Sequence, residues 1–172
     1  LSSSSAASDV YKRQPGNWDA LLAAPCQGLV GMNDPSISGP TYPMLAGMLD
    51  HAGGWPQGQA YVLALQANGL HMFDANGATL AALKAQAISL AIVQSSAAIY
   101  FAAHNPGYRI TVPSPAYVLP SVMVEAKGVS AAKRKEIARF LAFAMRPDIQ
   151  KLRQDKGGSD GNFWPITTGA PA

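Results

Sequence analysis

The chain has 172 residues and a mass of 18.0 kDa, enough for one ordinary domain with a real core. Hydrophobic residues make up 48% of it and charged residues only 13%, which excludes disorder over the whole length and leaves surface polarity to Gly, Ser, Thr, Asn and Gln. A formal net charge of +3 is too modest to argue for nucleic acid: the basic residues between Lys127 and Lys156 alternate with apolar positions at helical spacing and read as a solvated helix face. Residues 1–14, Leu1-Ser2-Ser3-Ser4-Ser5 through Gln14, lack the basic start, apolar middle and cleavage site of a secretion signal. They are similar to a translated sequencing-adapter peptide, so the expectation is a non-native or disordered leader on a truncated chain whose signal peptide has been lost.

Trp18-Asp19-Ala20-Leu21-Leu22 then reads as a short turn or helical piece, and Gly28-Leu29-Val30-Gly31-Met32 as a buried strand. Asn33-Asp34-Pro35-Ser36-Ile37-Ser38-Gly39-Pro40-Thr41-Tyr42 follows, a turn through small hydroxyl residues into a helix. Pro40 suits its first turn, and Gly53-Gly54 its end. Such a turn leaves backbone N–H groups beside the positive end of a helix dipole, the makings of an anion site. Pro56 opens a second helix carrying Tyr61, Leu63 and Leu65, stopped at Asn68-Gly69.

A brief strand, Leu70-His71-Met72-Phe73, leads through the polar turn Asp74 to Thr79 into a helix with Leu80, Leu83 and Ala87 on one face. Ile88-Ser89-Leu90-Ala91-Ile92-Val93 is a continuous apolar strand ending in Gln94-Ser95-Ser96. Strands alternating with helices predict an α/β fold with a mostly parallel sheet flanked by helices. Ligands of such sheets sit beyond the carboxyl ends of the strands. Three such ends carry uncharged hydrogen-bonding groups: Ser36, Ser38, Gly39 and Thr41; Asn76, Gly77 and Thr79; Gln94, Ser95 and Ser96. They hold no general base, which favours holding a ligand over transforming it.

From Asn105 prolines 106, 113, 115 and 120 punctuate the extended pieces 108–112 and 121–124, suited to chain crossing between lobes. Ser130 begins an amphipathic helix with Ile137, Phe140, Leu141 and Ala144 inward, broken near Pro147. A Gly/Ser/Pro-rich tail contains Phe163-Trp164-Pro165.

Read in order, residues 28–42, 77–83, 90–96 and 138–150 resemble the periplasmic solute-binding proteins of ABC importers, of the family-1/family-6 type that includes ferric-ion, 2-aminoethylphosphonate and other anion binders. That resemblance covers residues 17 to 171 and implies a type II periplasmic-binding-protein-like lobe over 15–112. It assigns 113–172, as crossover strands and C-terminal helices, to the first lobe, whose N-terminal portion would be absent. Ferric binders use adjacent tyrosines, whereas Ile99-Tyr100-Phe101 offers one. The expected solute is therefore anionic or zwitterionic: a phosphonate, phosphate ester or carboxylate. The site residues above would hold it, with Tyr42 or Tyr117 adding an apolar wall or a hydroxyl. The resemblance further implies ABC permease subunits as partners, a periplasmic or extracellular location, and no direct membrane insertion. A ferric-ion carrier is the alternative reading.

No cofactor or metal is expected. His51, His71 and His104 lie at no metal-ligand spacing, and Cys26 is alone. The G-x-S-x-G elbow and the P-loop Gly-Lys-Ser/Thr are both missing, and no His/Asp pair follows in triad order, so a Ser-dependent hydrolase at Ser36 or Ser38 is the weakest of the readings.

Overall fold

The computed structural model describes residues 15–165. The leader at 1–14 and the last seven residues of the tail lie outside them. Contacts divide the chain into two units: the residues up to Gln94 together with Gly107–Leu119, and Ser95–Pro106 together with the residues from Pro120.

The first unit is built on three short parallel strands, β1 (Val30–Asn33), β2 (His71–Phe73) and β3 (Leu90–Ile92), in the order β2-β1-β3. Gly31, Met32 and Asn33 pair with His71, Met72 and Phe73 on one side, and Val30, Gly31 and Met32 with Leu90, Ala91 and Ile92 on the other. Every residue of β1 is buried, as a central strand covered on both faces requires. Alternation sends Val30 and Met32 to one face and Gly31 and Asn33 to the other. On the first face, Val30 packs with Leu21, Cys26 and Leu65. On the second, a Cβ at Gly31 would lie 2.6 Å from Ile88 Cδ1 and 2.8 Å from Phe73 Cε2, so glycine is what lets those two side chains close over the strand.

Helices α1 (Thr41–His51) and α2 (Gln57–Ala67) connect β1 to β2, and α3 (Asn76–Lys84) connects β2 to β3. Strand, helix and strand alternate as the sequence predicts, and the Gly53-Gly54 and Asn68-Gly69 helix ends fall where expected. Several boundaries differ: β1 starts later and runs on through Asn33, β3 is shorter than the apolar run at 88–93, and both ends of α3 are shifted. Asn76, Gly77 and Thr79 lie inside the first turn of α3 rather than in a turn before it. Ala87 lies beyond its end, because Gln86 turns the chain left-handed at φ 60° while its N–H and that of Ala87 close on Leu83 O and Ala82 O.

Ser114 pairs with Asn17, the Trp18 indole N–H donates to Pro115 O at 2.7 Å, and Tyr117 packs its ring against Trp18, which ties 107–119 to the first unit. The extended pieces 108–112 and 121–124 form no strand, and the Ser114 bridge is the sole ladder contact among the described residues from 105 to 130.

The second unit contains α4 (Ser95–His104), α5 (Ala131–Ala144) and α6 (Pro147–Lys156), with α4 against a short turn at Gly158–Asp160. Ser130 caps α5 by accepting from Lys133 N–H at 3.2 Å. Pro147 does more than break the helix: with its fixed φ and no N–H to satisfy, it starts α6.

Candidate functional site

Asn33 ends the central strand with its side chain on the α3 face. It is 3% exposed and so must find partners inside the protein. The Thr79 hydroxyl, fully buried, donates to Asn33 Oδ1 at 2.6 Å. The Asn33 amide donates to Asn76 Oδ1 at 2.7 Å and more weakly to Ser38 Oγ at 3.4 Å. Thr41, also buried, donates its hydroxyl to Ser38 Oγ at 2.9 Å. Two of the three strand ends singled out by sequence are thereby joined through one residue that was read only as part of the turn.

The turn into α1 spends most of its backbone donors on itself. Ser36 N–H and hydroxyl both donate to Asp34 Oδ1, at 2.8 and 2.7 Å, while Ile37 and Ser38 N–H go to Asp34 O and Thr41 N–H to Ser38 O. Pro40 and Pro43 bring no N–H at all. These bonds from Ser36 hold the exposed Asp34 carboxyl below its usual range, its side-chain hydroxyl contributing most. The segment is an Asx turn, which spends the N–H and hydroxyl of Ser36 on the Asp34 side chain.

The start of α3 is the opposite case. Ala75 gives no side-chain cap, Thr79 is the first residue whose N–H reaches back into the helix, and the N–H groups of Asn76, Gly77 and Ala78 have no intrahelical acceptor. Gly77 and Ala78 are exposed, and nothing lies within 4 Å of where a Gly77 Cβ would stand. Approach to these donors is open.

The remaining candidates are scattered by role. Ser36, Gly39 and Tyr42 are exposed, and Thr79 and Thr41 are buried within the network. Gln94 closes the first unit, half-buried. Ser95 and Ser96 open α4 in the second unit, the former exposed and the latter buried. Tyr117 lies across Gly47 of α1, where a Cβ would come 2.5 Å from its ring, and its hydroxyl is buried without a hydrogen-bond partner. Burial, with Asp50 second, pushes its phenol up. Its ring packs against α1 at Gly47 and against Trp18.

A cavity of about 200 Å³ lies on the opposite face of the sheet, between Met32, Met72 and Ile92 below and Met44, Met48 and Leu65 above. Tyr61 also lines it, but its hydroxyl donates to Trp18 O at 2.8 Å. Such a lining, in which Gln66 is the other polar side chain, suits an apolar guest better than an anion. Among the described residues there is no group of three or more His, Cys, Asp or Glu able to hold a metal, and no helix is long and apolar enough to cross a membrane.

A small parallel sheet with helices packed against it, its strand ends gathering amides and hydroxyls, is the architecture of an α/β lobe. The chain matches the bacterial extracellular solute-binding protein family over residues 5–157 and belongs to it. Neither curated proteins nor solved structures yield a match. Membership gives the chain a substrate-binding role in transport, with a small-molecule ligand and, in general, an ABC transporter as partner. It also indicates a periplasmic or extracellular place of work.

Proposed function

We propose that the solute is small and anionic or zwitterionic, a phosphonate, phosphate ester or carboxylate, and that the chain delivers it to ABC permease subunits without altering it. The observation that carries this is the open start of α3, where three backbone N–H groups lacking intrahelical acceptors stand at the positive end of a helix dipole beside the half-buried Asn76. Asn76 and Gly77 are the principal contacts. Ser38 and Gly39 approach from the neighbouring strand end, and Thr41 and Thr79 hold the frame. Ser36, Tyr42, Gln94, Ser95, Ser96 and Tyr117 have secondary parts or none in this reading.

Catalysis is disfavoured by the partners of both serines. Ser38 is bonded to an amide and a hydroxyl, neither of them a base. Ser36 faces a carboxylate whose basicity its own hydrogen bonds have lowered. A ferric carrier would need paired phenolates, and Tyr100 packs its ring against that of His104, centroids 4.2 Å apart and tilted by 34°, with no second tyrosine beside it in sequence.

Gly77→Asp separates binding from folding. A carboxylate in the first turn of α3 enters open space and favours the helix by about 0.3–1 kcal/mol, yet it competes with an incoming anion. Thermal melts in methylphosphonate, phosphoserine and acetate should show a ligand-dependent rise for the native chain and none for the variant, although the variant melts no lower without ligand. A variant that binds as well as the native chain would rule α3 out as the anion contact.

A further inference from the structure

We propose that Asn33 is a positioning residue that fixes the hydrogen-bond polarity of the solute site, so that the groups left over for a ligand are donors. The inference rests on the strand ends being the solute site. It follows from counting valences along the network. The single Thr79 hydroxyl proton has two acceptors within reach, Asn33 Oδ1 at 2.6 Å and Ala75 O at 3.2 Å, and the shorter contact takes it, at a length that suits a hydroxyl donating to a carbonyl better than an amide donating to a hydroxyl. That sets the Asn33 carboxamide with its oxygen toward Thr79 and its N–H groups toward Asn76 and Ser38.

The consequences propagate outward. Asn76 accepts with Oδ1, so its own NH₂ faces away from Asn33 with two protons to give. Ser38 Oγ accepts from both Asn33 and Thr41, which occupies its two lone pairs and leaves its proton free. Ser38 and Asn76 are each half-buried, within reach of solvent, whereas Asn33, Thr41 and Thr79 are buried. Buried acceptors are thus saturated from within, and a partner presenting acceptor oxygens is selected over one presenting ammonium or amide N–H groups. Were Asn33 turned over, Asn76 would turn with it and show its carbonyl, and the preference would invert.

Side-chain amide hydrogen exchange tests the polarity without any ligand. In the native chain the Asn33 NH₂ protons should exchange slowly and those of Asn76 nearly as fast as in an exposed asparagine. In Asn33→Asp, whose carboxylate can only accept, Asn76 must turn its NH₂ inward, and its protons should slow by at least tenfold. Slow exchange at Asn76 in the native chain would overturn the proposal, and that measurement does not depend on the variant folding.

The ligand arm uses methylphosphonate and methylammonium as probes of opposite polarity. Methylphosphonate should shift the Asn76 NH₂ and Gly77 N–H signals of the native chain, methylammonium should not, and Asn33→Asp should bind methylphosphonate at least tenfold more weakly. Native polarity in the exchange experiment with no methylphosphonate or acetate shift at Asn76 or Gly77 would overturn the solute-site reading and the selectivity built on it. Reversed exchange with a normal shift at Gly77 would overturn the role of Asn33 alone.

Discussion

The starts of α1 and α3 follow neighbouring strands of the same sheet, carry similar small polar residues, and do opposite things. Before α1, Asp34 gathers the hydroxyl and N–H of Ser36 and the N–H groups of Ile37 and Ser38, and prolines remove two further donors. At the start of α3 there is no capping side chain, and three N–H groups have no intrahelical acceptor. A strand-to-helix turn rich in serine is therefore no guide to an anion site by itself. What matters is whether local acceptors have already used the donors, and before α1 the Asp34 carboxylate, the Asp34 carbonyl and the Ser38 carbonyl share that part.

The contrast is tested most severely at Thr79. Thr79→Val keeps the shape but removes the proton held by Asn33 Oδ1, leaving a buried acceptor unsatisfied, and should cost about 1–3 kcal/mol in urea denaturation. Ser36→Ala removes a bond of similar length on an exposed turn and should cost distinctly less. Equal losses would mean that the two turns are held with equal force and that the buried network is not special.

The far end of α3 offers a smaller effect of opposite sign. Gln86 is exposed and sits at φ 60°, where a side chain crowds the following carbonyl. Gln86→Gly should stabilise the chain by about 1 kcal/mol, read from the same denaturation midpoints. Because Gln86 touches neither helix start, methylphosphonate binding should be unchanged. A change in affinity would show that the open end of α3 responds to strain at its other end.

Much of this architecture was legible because it depends on local pattern. Val30 and Met32 alternate with Gly31, Gly53-Gly54 and Asn68-Gly69 mark helix ends, and an apolar run surrounds Leu90, so strands, helices and parallel order could be read in sequence. Asn33 could not, since nothing in Gly-Met-Asn-Asp says that its amide will meet Asn76, 43 residues away. The same holds for Tyr117, whose place across Gly47 depends on the returning segment at 114–117 being pinned to Asn17 and Trp18. Pairwise contacts at long sequence separation set the site, while periodicity sees only neighbours. Ser36 shows a related limit: the Asx turn is visible as Asp34-Pro35-Ser36, but that both the N–H and the hydroxyl of Ser36 go to one carboxylate oxygen is seen only in the fold.

The slightest expected effect lies in pH dependence at that turn. Hydrogen bonds from Ser36 lower the Asp34 pKa from its usual 3.8, so the folded state favours the carboxylate. A depressed folded pKa contributes stability that is whole above the unfolded value and is lost as pH falls through the folded one. Since the Ser36 hydroxyl is the largest cause, Ser36→Ala should narrow that window, and the native chain's advantage over the variant should be full at neutral pH and vanish once Asp34 is protonated in both. Paired denaturation curves at neutral pH and below the carboxylate range measure it. An advantage that persists in acid would place the contribution of Ser36 in its N–H bond or its packing instead, and the turn before α1 would then owe its rigidity to geometry more than to the charge of Asp34.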